Sequence, residues 1–90
     1  MRPLEGIKVV DITRFAAGPF AAMQLADMGA EVIKVEPPGK GDDMREWGPP
    51  FIKGEGLYSM LLNKNKKSIT VNTRAPEGVD IVKKLLKNAD

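Results

Sequence analysis

Residues 7–36 read IKVVDITRFAAGPFAAMQLADMGAEVIKVE and decide the fold. Segment 7–12 is rich in β-branched side chains and mostly apolar, which is typical of a buried parallel strand. Segment 31–36 alternates less cleanly than a surface strand, but Val32, Ile33 and Val35 supply a β-branched core and Pro37-Pro38 ends it. Between them, Gly18-Pro19 predicts the start of a helix and Gly29 predicts its end. The stretch therefore predicts a strand, a helix and a second strand that lies parallel to the first.

The remaining sequence extends this alternation. Residues 37–56 contain four prolines and five glycines, and they predict a long loop with a functional or interface role. Residues 57–62 predict a short helix, 68–72 a third strand, and Pro76 begins a last helix. We therefore expect an α/β, Rossmann-like, three-layer arrangement with a mostly parallel sheet of about three strands.

A sheet of this size leaves much of its apolar helices uncovered. We therefore expect residues 1–90 to be the amino-terminal part of a larger Rossmann-like domain, incomplete on its own. Right-handed parallel connections place the carboxyl ends of the strands at one edge, which is where open α/β sheets bind ligands.

The amino-acid composition excludes several kinds of partner and of catalytic chemistry. The chain has 14 basic and 12 acidic residues, a net charge of +2, which does not indicate nucleic acid or a membrane surface as a partner. It has no Cys and no His, which removes thiol and Ser-His-Asp chemistry and the usual zinc ligands. No apolar run is long enough to span a bilayer, and no signal peptide is evident. We expect a cytoplasmic protein without a metal.

Three local motifs suggest ligand sites, each with a simpler interpretation. The turn at Gly18 lacks the other glycines of a dinucleotide fingerprint, so Glu36 is a weak candidate for a ribose ligand. The basic run 63–67, NKNKK, could bind phosphate, but a solvated loop is favoured. Asp42 and Asp43 could bind a cation, but capping or solvating the loop is favoured.

Three separated segments carry a family resemblance: residues 3–51, from PLEGIKVVDI to EWGPPF; LNKNKKS at 62–68; and APEG at 75–78. In this order they resemble the amino-terminal end of the class III CoA-transferases, the group of formyl-CoA transferase and carnitine CoA-transferase. The resemblance implies a parent several times longer that forms an interlocked homodimer. It also implies transfer of coenzyme A from an acyl-CoA to a carboxylic acid, without a metal.

The family nucleophile is an aspartate beyond residue 90, which attacks the acyl-CoA to form a mixed anhydride. The resemblance therefore implies that these 90 residues contain no catalytic residue and are inactive alone.

What the resemblance carries over to this chain is part of the CoA site, in two groups. The turn after the first strand approaches the thioester end with Arg14, Phe15, Ala16 and Ala17. The end of the third strand lies by the adenosine with Val71, Asn72, Thr73 and Arg74.

Two positions depart from the family pattern. Pro37 stands where many members have an arginine, which removes a phosphate or adenine contact. Ala16 stands where formyl-CoA transferase has a glutamine near the acyl group, which argues against formyl and oxalyl substrates.

Two alternatives remain open. An acyl-CoA racemase of the same superfamily shares this amino-terminal pattern but uses acid-base chemistry at the α-carbon, with residues beyond position 90. A non-catalytic binding or assembly module would use the 37–56 loop and the apolar helix for interfaces only.

Overall fold

The structure is a computed structural model that describes residues 2–14 and 16–90. Its strands are β1 (Lys8–Asp11), β2 (Glu31–Glu36), β3 (Phe51–Ile52), β4 (Glu55–Gly56) and β5 (Lys67–Thr70). Its helices are α1 (Ala17–Asp27), α2 (Leu57–Leu62) and α3 (Pro76–Lys87), with a short 3-10 helix at Asp43–Glu46.

The main sheet is parallel and has the order β1-β2-β5. Val9 pairs with Val32, and Val35 pairs with Ile69. This confirms the predicted α/β architecture, with small shifts at the strand ends. β5 begins one residue earlier than predicted and ends at Thr70, although the Val71 amide still donates to the Glu36 carbonyl at 2.9 Å.

The segment 37–56 is more ordered in secondary structure than the predicted loop. It contains the 3-10 helix and an antiparallel hairpin, in which β3 pairs with β4 through Phe51 and Gly56. The loop prediction was therefore wrong for this part of the segment. The 3-10 helix forms because the Asp42 carboxylate accepts from the Met44 amide at 3.0 Å and Met44 itself is fully buried.

Helix α1 packs on one face of the sheet through small side chains. Ala22, Ala26 and Ala30 form a buried cluster with Val32 of β2, and short alanines let the helix approach the sheet closely. Gly29, at φ +107°, lies just past the helix as predicted. The outer side of α1 is uncovered, since Phe20 is 50% exposed.

Helix α3 lies on the opposite face. Ile33 alternates with Val32 along β2 and so points away from α1. It lines a cleft with Ile81 and Leu85 of α3. The sheet is thus the middle of three layers, and its carboxyl edge collects the loops that follow β1, β2 and β5. In the described part of the chain, no helix has the length and apolar character to cross a bilayer.

Candidate site at the carboxyl edge of the sheet

A polar cleft lies where the three parallel strands end. It has a volume of about 410 Å³ and is lined by Arg14, Pro37, Pro38, Asn72, Thr73 and Arg74. A smaller cleft of about 230 Å³ shares Arg14, Pro37 and Thr73 with it. Its other lining residues are Glu36 and mostly apolar side chains, among them Val35, Val71 and Val82. The site therefore combines two arginines in the larger cleft with a mainly apolar neighbouring cleft.

Each wall of the cleft comes from a different strand. Arg14 follows β1, Pro37-Pro38 follows β2, and 72–74 follows β5. The Asn72 side chain accepts from the Arg74 amide at 3.1 Å, and this local turn sets the direction of the third wall. Guanidinium groups are always charged and match phosphate oxygens in pairs, so two arginines at one mouth suit a phosphorylated ligand.

The structure brings most of the predicted site residues together. Arg14 and the segment 72–74 share the larger cleft, and Val71 lies in the adjoining smaller one. Ala16 and Ala17 lie instead at the start of α1 and line neither cleft. Phe15 lies outside the described residues.

Next to the turn between β1 and α1, four buried charged side chains form a cluster that the sequence did not predict as a site. Lys34 and Lys66 each have side chains that are 1% exposed. Lys34 Nζ lies 2.8 Å from Asp42 Oδ2 and 3.9 Å from Asp11 Oδ2, and Lys66 Nζ lies 2.9 Å from the same Asp11 oxygen. Two cations and two anions thus balance, as buried charges must.

The solvated-loop interpretation of 63–67 was therefore wrong for Lys66. Its ammonium group donates to three acceptors at 2.9 Å: the Asp11 carboxylate, the Pro19 carbonyl and the Asn63 side chain. These use all the donors that an ammonium group has. Lys64 and Lys67 do remain exposed.

Burial and hydrogen bonding have opposite effects on the pKa of Asp11. Burial alone would raise the pKa of Asp11, but hydrogen bonds from Thr13 and Lys66 outweigh it and hold the pKa below its ordinary value. Burial lowers the pKa of Lys66, and the neighbouring Asp11 opposes that effect.

A second charged group lies under the loop after β2. Glu36 is 3% exposed, and its carboxylate lies 2.6 Å from Arg45 Nε and 2.7 Å from the Arg45 Nη2. The hydrogen bond from Arg45 lowers the pKa of Glu36 to about 2, against the opposing effect of burial and with help from Ser68. Arg45 also pairs with Glu55 of β4. Glu36 is thus fully engaged within the protein, which argues against its weak candidacy as a ribose ligand.

Asp42 has the capping role favoured from the sequence. It precedes the 3-10 helix and accepts from the Met44 amide, and its other oxygen faces Lys34. Asp43 is exposed. Both oxygens of Asp42 face donors of the chain itself, which does not support the cation interpretation.

Part of this buried chemistry has a visible sequence signal. Lys34 and Glu36 alternate with Ile33 and Val35 in a strand flanked by apolar residues, so one face of β2 had to bury charges. Lys66 has no such signal, because its partner Asp11 is 55 positions away.

The model of CoA-transferase family III matches residues 4–90. The chain is 59% identical over 90 residues to succinyl-CoA:glutarate CoA-transferase from Mus musculus, covering 100% of this chain and 21% of that protein. It is 55% identical over 89 residues to succinyl-CoA–D-citramalate CoA-transferase from Chloroflexus aurantiacus, covering 99% and 22%.

More distant relatives and solved structures are consistent with the same family. Formyl-CoA:oxalate CoA-transferase from Escherichia coli is 44% identical over 88 residues, covering 98% of this chain and 21% of that protein. The crystal structure of a CAIB/BAIF family protein from Brucella suis superposes with a TM-score of 0.93 at 47% identity, covering 99% of this chain and 24% of that one. The chain thus spans about a fifth of the length of the curated relatives. Since the family match covers nearly all of its residues, the chain belongs to CoA-transferase family III.

Proposed function

We propose that this chain supplies the nucleotide-binding part of an enzyme that transfers coenzyme A from an acyl-CoA to a carboxylic acid. The observation that carries the proposal is the cleft at the carboxyl edge of the sheet, where Arg14 and Arg74 line one mouth. The resemblance assigned Arg14 to the thioester end of coenzyme A and Arg74 to the adenosine; because both arginines line one mouth, we assign both instead to phosphates of coenzyme A, which accept charge-assisted hydrogen bonds from guanidinium groups. The named activities of the relatives support the same class of substrate.

In the proposed reaction, an aspartate outside these residues attacks the acyl thioester and forms a mixed anhydride with release of the CoA thiolate. The thiolate then attacks in turn, so it must stay near the anhydride throughout the cycle. A cleft that holds the nucleotide end keeps the thiolate close and raises its effective concentration. The enzyme is proposed to act as an interlocked homodimer in the cytoplasm, with no metal.

The proposal predicts that the 90 residues show no transferase turnover on their own, because the nucleophile is absent. Acyl-CoA and a carboxylate acceptor, incubated with the purified chain and followed by chromatography of the CoA esters, should give only the uncatalysed background. Product above that background would contradict the proposal that the nucleophile lies elsewhere.

The proposal also predicts that CoA binds saturably and that Arg74→Ala weakens binding about tenfold, the effect of losing one charge-assisted phosphate contact. Calorimetric titration with CoA measures both affinities. Lys87→Ala is the control, because Lys87 is an exposed cation at the far end of α3. Equal affinities for the Arg74→Ala variant and the unmodified protein would place the nucleotide elsewhere.

The same titration separates the alternatives from other classes. An assembly module would show concentration-dependent self-association and no saturable binding of CoA. A racemase would bind CoA at the same cleft, so it is separated by its reaction, which exchanges the α-proton of an acyl-CoA with solvent. The transferase is preferred because the relatives described above have transferase names.

A further inference from the structure

The two buried lysines donate hydrogen bonds to the turn between β1 and α1. Lys34 Nζ donates to the Thr13 carbonyl at 3.1 Å, and Lys66 Nζ donates to the Pro19 carbonyl at 2.9 Å. These carbonyls lie on either side of Arg14, which lines both clefts. The two ammonium groups therefore fix both ends of the segment that carries the arginine.

Asp11 fixes the same turn from the strand side. One of its oxygens accepts from the Thr13 amide at 2.9 Å and from the Thr13 hydroxyl, while the other accepts from Lys66. Thr13 is thus bound through its amide, its hydroxyl and its carbonyl. Gly18 lies directly against Thr13, since a β-carbon on Gly18 would overlap the Thr13 side chain. The residue just before Arg14 has little freedom to move.

Lys34 also connects this turn to the second wall of the cleft. Its ammonium group lies 2.8 Å from Asp42 Oδ2, and the Asp42 amide donates to Glu36 Oε1 at 3.0 Å. Pro37 and Pro38, which line the cleft, lie between those two acidic residues in the sequence. One buried cation is therefore bonded both to the turn that carries Arg14 and to the segment that follows Pro37-Pro38.

Neither lysine can reach a ligand, because both side chains are 1% exposed. Burying two ammonium groups is costly, and apolar side chains could fill the same volume without that cost. What apolar side chains could not do is hold the Thr13 and Pro19 carbonyls in place.

We infer that Lys34 and Lys66 are positioning residues for the CoA site, which set the place of Arg14 without touching the ligand. This role rests on the function proposed above. It ties Thr13, the residue before Arg14, to the sheet before the ligand arrives, so less conformational freedom is lost on binding.

The test replaces a whole ion pair, since removing one partner alone would leave a buried charge. Asp11→Asn combined with Lys66→Met removes the pair and keeps the volume. We expect the dissociation constant for CoA to rise about tenfold, as for other residues that act by orienting a ligand-binding group. The midpoint of urea unfolding is expected to change little. In an Arg14→Ala background the same pair of substitutions should cause no further loss of affinity, because the effect acts through Arg14.

Lys64→Met is the matched control, because Lys64 belongs to the same basic run but is 55% exposed. It should change neither affinity nor stability. If the double variant does not fold, Asp42→Asn combined with Lys34→Met decides instead: it removes the other ion pair at unchanged net charge and takes away the donor to the Thr13 carbonyl. A several-fold loss of affinity that disappears in the Arg14→Ala background would support the positioning role.

The outcomes are distinguishable. If the unmodified protein does not bind CoA, the proposed function fails and the positioning role fails with it. If it binds CoA through Arg14 but the double variant, or Asp42→Asn with Lys34→Met in its place, binds equally well, only the positioning role is overturned. A loss of affinity that is the same with and without Arg14 would also overturn it, because it would show a general effect on the fold.

Discussion

Arg45→Met is expected to lower the free energy of unfolding by about 3 kcal/mol, the lower end of the range for breaking a buried ion pair. Arg45 makes two hydrogen bonds to the Glu36 carboxylate, which is 3% exposed. Methionine fills much of the same space but leaves that carboxylate without its main partner. Urea unfolding at pH 7, followed by circular dichroism, measures the change.

The pH dependence of this loss has a defined sign. The pKa of Glu36 falls from its ordinary value of 4.5 to about 2 in the folded protein. Its stabilisation is therefore fully present above pH 4.5 and is lost as the pH falls through about 2, a contribution of about 3 kcal/mol. The stability difference between Arg45→Met and the unmodified protein should be largest at neutral pH and shrink across that window.

Lys40→Met provides the control for a pair that contributes little. Lys40 lies 3.3 Å from Glu46, but their side chains are 77% and 57% exposed, so solvent screens the interaction. We expect little change in stability at any pH. A stability difference for Arg45→Met that stays constant from pH 7 to pH 2 would show that the Glu36 carboxylate is not its source.

The sequence predicted the sheet because local patterns were sufficient there. β-branched runs define β1 and β2, and Gly29 and the two prolines after Glu36 mark the ends of neighbouring elements. The segment 37–56 was harder, because its 3-10 helix and hairpin depend on Glu36, Arg45 and Glu55 meeting in space. Proline and glycine counts carry no information on such a contact.

The candidate site likewise has one part that could be predicted from the sequence and one part that could not. The family resemblance assigned Arg14 and the segment 72–74 to one CoA site, which agrees with the rule that parallel strands place their carboxyl ends together, and in the structure they share a cleft. The burial of the lysines depends on partners that are distant in the sequence: Lys66 is 55 positions away from Asp11. A basic run read as a solvated loop gives no sign that one of its members points inward. Tertiary contacts alone decide which lysine is buried.

Helix α3 closely approaches the third wall of the cleft, the segment 72–74. Gly78 is buried in the first turn of α3, and a β-carbon there would overlap the Asn72 carbonyl oxygen and lie 2.6 Å from its carbonyl carbon. That carbonyl cannot retreat easily, because it accepts from the Ala75 amide at 3.2 Å and the preceding residue is bonded to β2. Alanine normally favours a helix over glycine by about 1 kcal/mol.

Gly78→Ala is nevertheless expected to lower the free energy of unfolding by about 2–3 kcal/mol, because overpacking against backbone outweighs helix propensity. Asn72 lines the cleft, so we also expect weaker binding of CoA. Asp80→Ala is the control, since Asp80 is exposed on the same helix and meets no such barrier. If Gly78→Ala were as stable as the unmodified protein, α3 would have to be free to move off the sheet. The third wall of the cleft would then not be fixed by this contact, and hydrogen exchange at the amides of 71–75 would report that mobility.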